Sequence, residues 1–117
     1  EEPLEVLRQR KIAELKYQRD IAEIQPIEYN GNLYDYDEKA RDRINAAIIA
    51  LSLQGEGASI DWTTADNQDV KVTANDLRGV IAAVAMRSNE LHVKYRKLKE
   101  QVEACTTKEA LEKVVWE

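Results

Sequence analysis

The sequence predicts a helix-dominated α+β fold: three main helices and a short C-terminal helix, with two short antiparallel β-hairpins. Three observations predict it. Apolar residues recur at three- and four-residue spacing through three long stretches. Asn30-Gly31, the strongest two-residue hairpin signal, separates two short runs carrying Ile, Leu and Tyr. Strict alternation of apolar and polar residues returns over 59–64 and again over 69–73.

The first helix runs from Pro3 to about Gln25. Pro3 suits a first helical turn, where its missing N–H costs nothing. Glu1, Glu2 and Glu5 complement the positive end of the helix dipole. Val6, Ala13, Tyr17, Ile21 and Ile24 make one apolar stripe, and Leu4, Ile12 and Leu15 begin a second. Two stripes imply a helix that contacts more than one neighbour, or one that moves. Pro26 ends it, because the residue before a proline disfavours the α region.

The first hairpin follows. A type I′ turn at Asn30-Gly31 sets Tyr29 opposite Asn32 and Ile27 opposite Tyr34. One face then collects Ile27, Tyr29, Tyr34 and Tyr36, and leaves Leu33 on the other. Asp35 or Asp37 caps the second helix, with Glu38 completing a capping-box-like arrangement. That helix runs from about Asp37 to Gln54 with a core stripe of Ala40, Ile44, Ala47, Ile48 and Leu51. Ala46, Ile49, Ala50 and Leu53 are apolar too, which marks it as the buried helix. Gly55 is placed to end it in a left-handed conformation.

Past the connector Gly55-Glu56-Gly57, pairing Trp62 with Val70 and Ile60 with Val72 puts all four on one face of a second hairpin. The pairing leaves the loop Ala65-Asp66-Asn67, with Asn67 in the left-handed position. Thr73 and Asp76 form a capping box for the third helix. Its apolar seam is Leu77, Ile81, Val84, Leu91, Tyr95, Leu98, Val102 and Cys105, about four heptads interrupted by Ser88. Two readings stand for it: packing against the chain's own first and second helices, or a coiled coil with a second copy. Thr106 and Glu109 open a short last helix to about Lys113. The expected organisation is a single domain over 1–117, with 1–25 either part of it or a linker or coiled-coil extension of a compact part at 26–117.

Composition narrows the chemistry. The formal charge is −5, distributed as six acids and five bases over 1–24, ten and four over 25–76, and six and eight over 77–117. A nucleic-acid partner needs a concentrated basic footprint. Lys94, Arg96, Lys97 and Lys99 spread around a helix face instead, so none is expected. The most apolar run, Ile44 to Leu53, is far short of the roughly 18 residues of a membrane span. The lone Cys105 forms no internal disulfide. The chain opens Glu1-Glu2-Pro3-Leu4 without Met, which suggests a processed chain or a piece of a longer one.

No catalytic residue, metal or cofactor is expected. His92 is the only histidine, and Cys105 lies thirteen residues further along the same expected helix, roughly 20 Å away. Asp35, Asp37, Glu38 and Asp42 are the densest acid cluster, but capping accounts for the first three, and the loop pattern of a calcium site is missing. Asp61, Asp66 and Asp69 fall on a hairpin edge and loop, where acids are ordinary. A carboxylate-dependent enzyme is the alternative they leave. The candidate contact residues are Tyr29, Tyr34, Tyr36 and Trp62 on the hairpins, and Leu91, Tyr95 and Leu98 on the seam, because Tyr and Trp dominate interface hot spots. The competing reading makes the hairpin aromatics core caps with hydroxyls reaching water.

Three segments carry a resemblance: Tyr29-Asn30-Gly31-x-Leu33-Tyr34-Asp35-x-Asp37 with Ala40, Arg41 and Ile44 after it; Trp62-Thr63-Thr64-Ala65-Asp66-Asn67; and the following helix with Leu91-His92, closed by Trp116. In order and spacing they resemble a domain family of tailed bacteriophages and prophages, often encoded beside or within tail-fibre genes, from about residue 8 to 116. The resemblance implies a setting: a phage tail or tail-fibre component acting through protein–protein contacts, or a monomeric chaperone or adaptor for fibre assembly. It implies a tail or fibre protein as partner, and a location in the virion tail or in the host cytoplasm during assembly; the coiled-coil reading of the seam adds self-association. It carries over no catalytic residues.

Overall fold

The structure, a computed structural model, describes residues 2–117. The elements are α1 (Leu4–Glu23), β1 (Ile27–Tyr29), β2 (Asn32–Tyr34), α2 (Glu38–Gln54), β3 (Ser59–Thr63), β4 (Asp69–Thr73), α3 (Ala74–Ala104) and α4 (Lys108–Glu112). The strands form two separate antiparallel two-stranded sheets, so the fold is helix-dominated α+β, as the periodicities predict. Two compact units emerge, Ile24–Arg87 and the residues up to 23 with Ser88–Glu117. Each has its own apolar core.

The Ile24–Arg87 unit holds both hairpins, α2 and the first part of α3. Both registers follow the alternation: Ile27 pairs with Tyr34 and Tyr29 with Asn32, and Trp62 with Val70 and Ile60 with Val72. Asn30 and Gly31 both take positive φ, 51° and 80°, as a type I′ turn requires. Asn67 is left-handed at φ 60°. The core gathers Ile27, Tyr34, Ile44, Leu51, Trp62, Val72, Leu77, Val80 and Val84.

Buried Thr64 organises the second loop. Its N–H donates to the Gln68 carbonyl at 2.7 Å, and its carbonyl accepts from Asn67 N–H. Its hydroxyl accepts from Gln68 N–H at 2.9 Å and donates to Asp66. Next to it, Ala65 N–H donates to the Leu33 carbonyl at 2.7 Å. That bond ties the second hairpin to the first through the Leu33 main chain.

α2 is capped by Asp37, whose carboxylate accepts from Ala40 N–H at 2.9 Å, and not by Asp35. Its expected stripe is buried or half-buried throughout. The expectation that the helix is buried all round fails. Ala46 and Ala50 are exposed, and Ile49 is 64% and Leu53 84% exposed. On a 3.6-residue helix Ile49 and Leu53 sit opposite Ala40, Ile44 and Leu51, with Ala46 beside them and Ala50 on the flank, and the sheets and α3 pack on one side only. Gly55 has positive φ, but with ψ at 171° it is extended, not left-handed.

The second unit holds α1, the rest of α3 and α4. Its core is Leu15, Val102, Leu111 and Val114, with Leu4, Leu7, Ile12, Tyr95, Leu98, Cys105 and Trp116 against it. Of the two stripes on α1, the shorter is the one that packs. Val6, Tyr17 and Ile24 are exposed, because Gln9 and Arg10 interrupt their stripe, whereas Leu4, Leu7, Ile12 and Leu15 run on one side with only Arg8 and Lys11 between. α4 starts one residue later than Thr106 and Glu109 suggest: the cap is Thr107, whose hydroxyl accepts from Ala110 N–H at 3.1 Å.

The seam of α3 divides between the two cores, with Leu77 and Val84 in one and Tyr95, Leu98 and Val102 in the other. Val80, three residues after Leu77 and four before Val84, is fully buried where the seam placed Ile81. Cys105 falls just past the helix end.

Candidate interaction surfaces

The hairpins position the four candidate aromatics. Alternation sends Tyr34 and Trp62 inward, where they are 2% and 8% exposed. Tyr29 and Tyr36 lie half-buried against the same core. The outer face of Trp62 is covered by the Arg43 guanidinium, 4.9 Å from the ring centroid, a contact that combines cation–π attraction with shielding of the indole. Burial is the largest cause of a Tyr34 phenol pushed above its ordinary value; the hydrogen bond to Asn32 works against it. The structure therefore brings these aromatics together as the wall and floor of a core. They leave little ring surface outside.

The seam candidates are similarly engaged. Tyr95 is half-buried and receives the Arg19 guanidinium at 4.7 Å from its ring centroid. Leu98 packs on the α1/α4 core, and Leu91 is half-buried on the same helix. The basic run is partly absorbed as well. Lys94 sits 4.3 Å over the Trp116 ring, and Arg96 approaches Glu100 at 3.9 Å.

Several of the singled-out acids have local work. Asp37 caps α2, Asp61 pairs with Lys71 at 2.7 Å, Asp66 accepts from Thr64, and Asp69 accepts from the Thr63 hydroxyl at 3.0 Å. Asp76 completes the capping box: it accepts from Thr73 N–H at 2.9 Å while the Thr73 hydroxyl accepts from Asp76 N–H at 3.1 Å. The Arg10 side chain holds the Glu2 carboxyl below the usual range, and Gln9 and then Arg8 do the same for Glu5. His92 Nε2 lies 3.9 Å from Glu23, which also accepts from the Ser88 hydroxyl. The Cys105 thiol donates to the Gln101 carbonyl at 3.1 Å. Among the described residues no three His, Cys, Asp or Glu side chains are grouped to hold a metal ion, and no helix is long and apolar enough to cross a membrane.

What faces outward and apolar is a different set: Tyr17 on α1, Ile49 and Leu53 on α2, and Met86 on α3, each 64% exposed or more. The sequence reading missed their exposure: Tyr17 stood on an apolar stripe of α1, and Ile49 and Leu53 on a helix expected to be buried. The signal was present in α2, where apolar residues occupy both sides of one helix and a single neighbour layer can cover only one.

Fold and surface together define a small helix-dominated α+β protein that packs its hairpin aromatics into a core and displays apolar side chains on its helices. The chain belongs to the family of the domain of unknown function DUF4376, which it matches over residues 6–115. No curated protein and no solved structure matches it.

Proposed function

We propose that this chain is a non-enzymatic component of a phage tail or tail fibre, acting by protein–protein interaction. The observation that carries the interaction reading is the outward apolar side of α2, Ala46, Ile49, Ala50 and Leu53, with Leu53 84% exposed. A monomeric soluble protein gains nothing from an apolar ridge opposite its core, whereas a partner surface does. The resemblance of the Tyr29–Asp37 hairpin and the Trp62–Asn67 loop to domains encoded with tail-fibre genes supplies the setting. A fibre or baseplate protein is then the expected partner.

Co-expression with the neighbouring tail-fibre gene product tests the reading. The expected result is co-purification that Leu53→Glu weakens at least about ten-fold. Failure to co-purify, with fibre solubility unchanged, would sink it. The same experiment separates component from chaperone: a component stays in purified virions, while an assembly chaperone raises fibre yield and is absent from them.

A further inference from the structure

The second hairpin is a sheet of two strands, so β4 has one edge inside the hairpin and one outside. Hydrogen-bonded and non-hydrogen-bonded pairs alternate along an antiparallel ladder. The Thr64 N–H to Gln68 carbonyl bond makes the 64–68 pair a bonded one. Counting back through the register, 62–70 and 60–72 are bonded, and 63–69 and 61–71 are not. The main-chain N–H and C=O groups of Asp69 and Lys71 therefore point away from β3, and both residues are exposed. Such an edge is a template for another strand.

We propose that this edge pairs with the β4 edge of a second copy, antiparallel and centred on Val70, to give a four-stranded sheet. The charges select the occupant and the register. Centred on Val70, Asp69 of each chain faces Lys71 of the other, so two opposite-charge pairs form on the solvent face and Val70 meets Val70 on the other. Shifting the centre to Asp69 or to Lys71 sets like charges directly opposite. Each Lys71 would then lie between Asp61 of its own chain, 2.7 Å away, and Asp69 of the second copy. The β3 edge has no such match, because Asp61 would find only Ser59, Thr63 or another Asp61. The contact is far smaller than the roughly 800 Å² per partner of a standard stable interface, so the association is reversible and grows with concentration. It involves neither α2 nor any tail protein, so it stands or falls separately from the proposed function.

Sedimentation equilibrium on the full chain and on two charge variants tests it. The wild-type chain is expected to dimerise in the upper micromolar range. Asp69→Lys alone and Lys71→Glu alone each place like charges across the two-fold axis and are expected to weaken the dimer by about ten-fold or more. An equimolar mixture of the two variants restores complementary pairs and is expected to recover the dimer as a heterodimer. Both side chains are exposed, and circular dichroism checks that each variant folds. Amide exchange adds a backbone readout: Asp69 and Lys71 N–H groups gain protection with concentration, while those of Asp61 and Thr63 do not. A strict monomer at about 1 mM, a dimer that the variants leave intact, a mixture that stays monomeric, or protection on the β3 edge instead would each overturn the proposal.

Discussion

The ring of Tyr29 lies directly over Gly79: a Cβ at position 79 would overlap the ring's Cζ and hydroxyl. The first hairpin thus sits on α3 through the one residue type that lets a helix backbone approach so closely. Glycine in a helix interior ordinarily costs about 1 kcal/mol relative to alanine, and here the aromatic contact makes use of that concession.

Gly79→Ala is therefore expected to destabilise the protein by about 1–3 kcal/mol, as overpacking does, against its helix propensity. In a Tyr29→Ala background the same substitution should change sign and stabilise by up to about 1 kcal/mol. Urea denaturation of the four chains of this cycle measures the coupling. A Gly79→Ala variant as stable as wild type would show that Tyr29 moves aside freely.

Thr64 is the one buried polar residue among those described, and its hydroxyl both accepts from Gln68 N–H and donates to Asp66. Thr64→Val keeps the shape and strands these partners. The expected loss is about 1–3 kcal/mol, with Thr64→Ser losing clearly less. Equal losses would mean that the methyl group, not the hydroxyl, holds the loop.

The reciprocal bonds between Thr73 and Asp76 predict a pair that acts as a unit. Thr73→Ala and Asp76→Ala should each cost about 1 kcal/mol. The double variant should cost less than the sum, since either change alone already breaks the box. Additive losses in thermal or urea unfolding would contradict the coupling.

Tyr34 predicts a pH effect. Burial pushes its phenol above the ordinary 10.0, so the folded state holds this proton more tightly than the unfolded chain does. The stabilisation is fully present below the unfolded value and is lost as pH rises through the higher folded value. Absorbance titration of tyrosinate should show one of the five tyrosines ionising late. The stability decline above about pH 10 should flatten in Tyr34→Phe. A wild-type and a Tyr34→Phe curve of equal slope would refute the assignment.

Local rules read much of this molecule directly. Asn30-Gly31 and the period-two alternation of Ile60, Trp62, Val70 and Val72 were enough for both registers, because a one-residue slip would turn every apolar side chain to water. The Thr73–Asp76 box was equally legible, since its bonds span three residues. Between Asp35 and Asp37 the pattern alone did not choose, and at the last helix it pointed to Thr106 where the cap is Thr107. The candidate contacts were legible as residue types only. Tyr34 and Trp62 stand out as aromatic, but whether an aromatic on a hairpin faces a partner or a core depends on what lies over it.

The sequence by itself determined the elements, their order, both hairpin turns and the apolar faces, because each depends on contacts within a few residues. Only the tertiary structure decided which of two apolar stripes on α1 and on α2 is covered, where the α3 seam changes from one core to the other, and that Gly79 lies beneath Tyr29. Those outcomes depend on side chains far apart in sequence: Tyr29 and Gly79 are fifty residues apart, and Leu15 shares a core with Val102 and Leu111. An apolar stripe says that a surface favours burial; only the neighbour that arrives, or fails to arrive, settles whether it is buried.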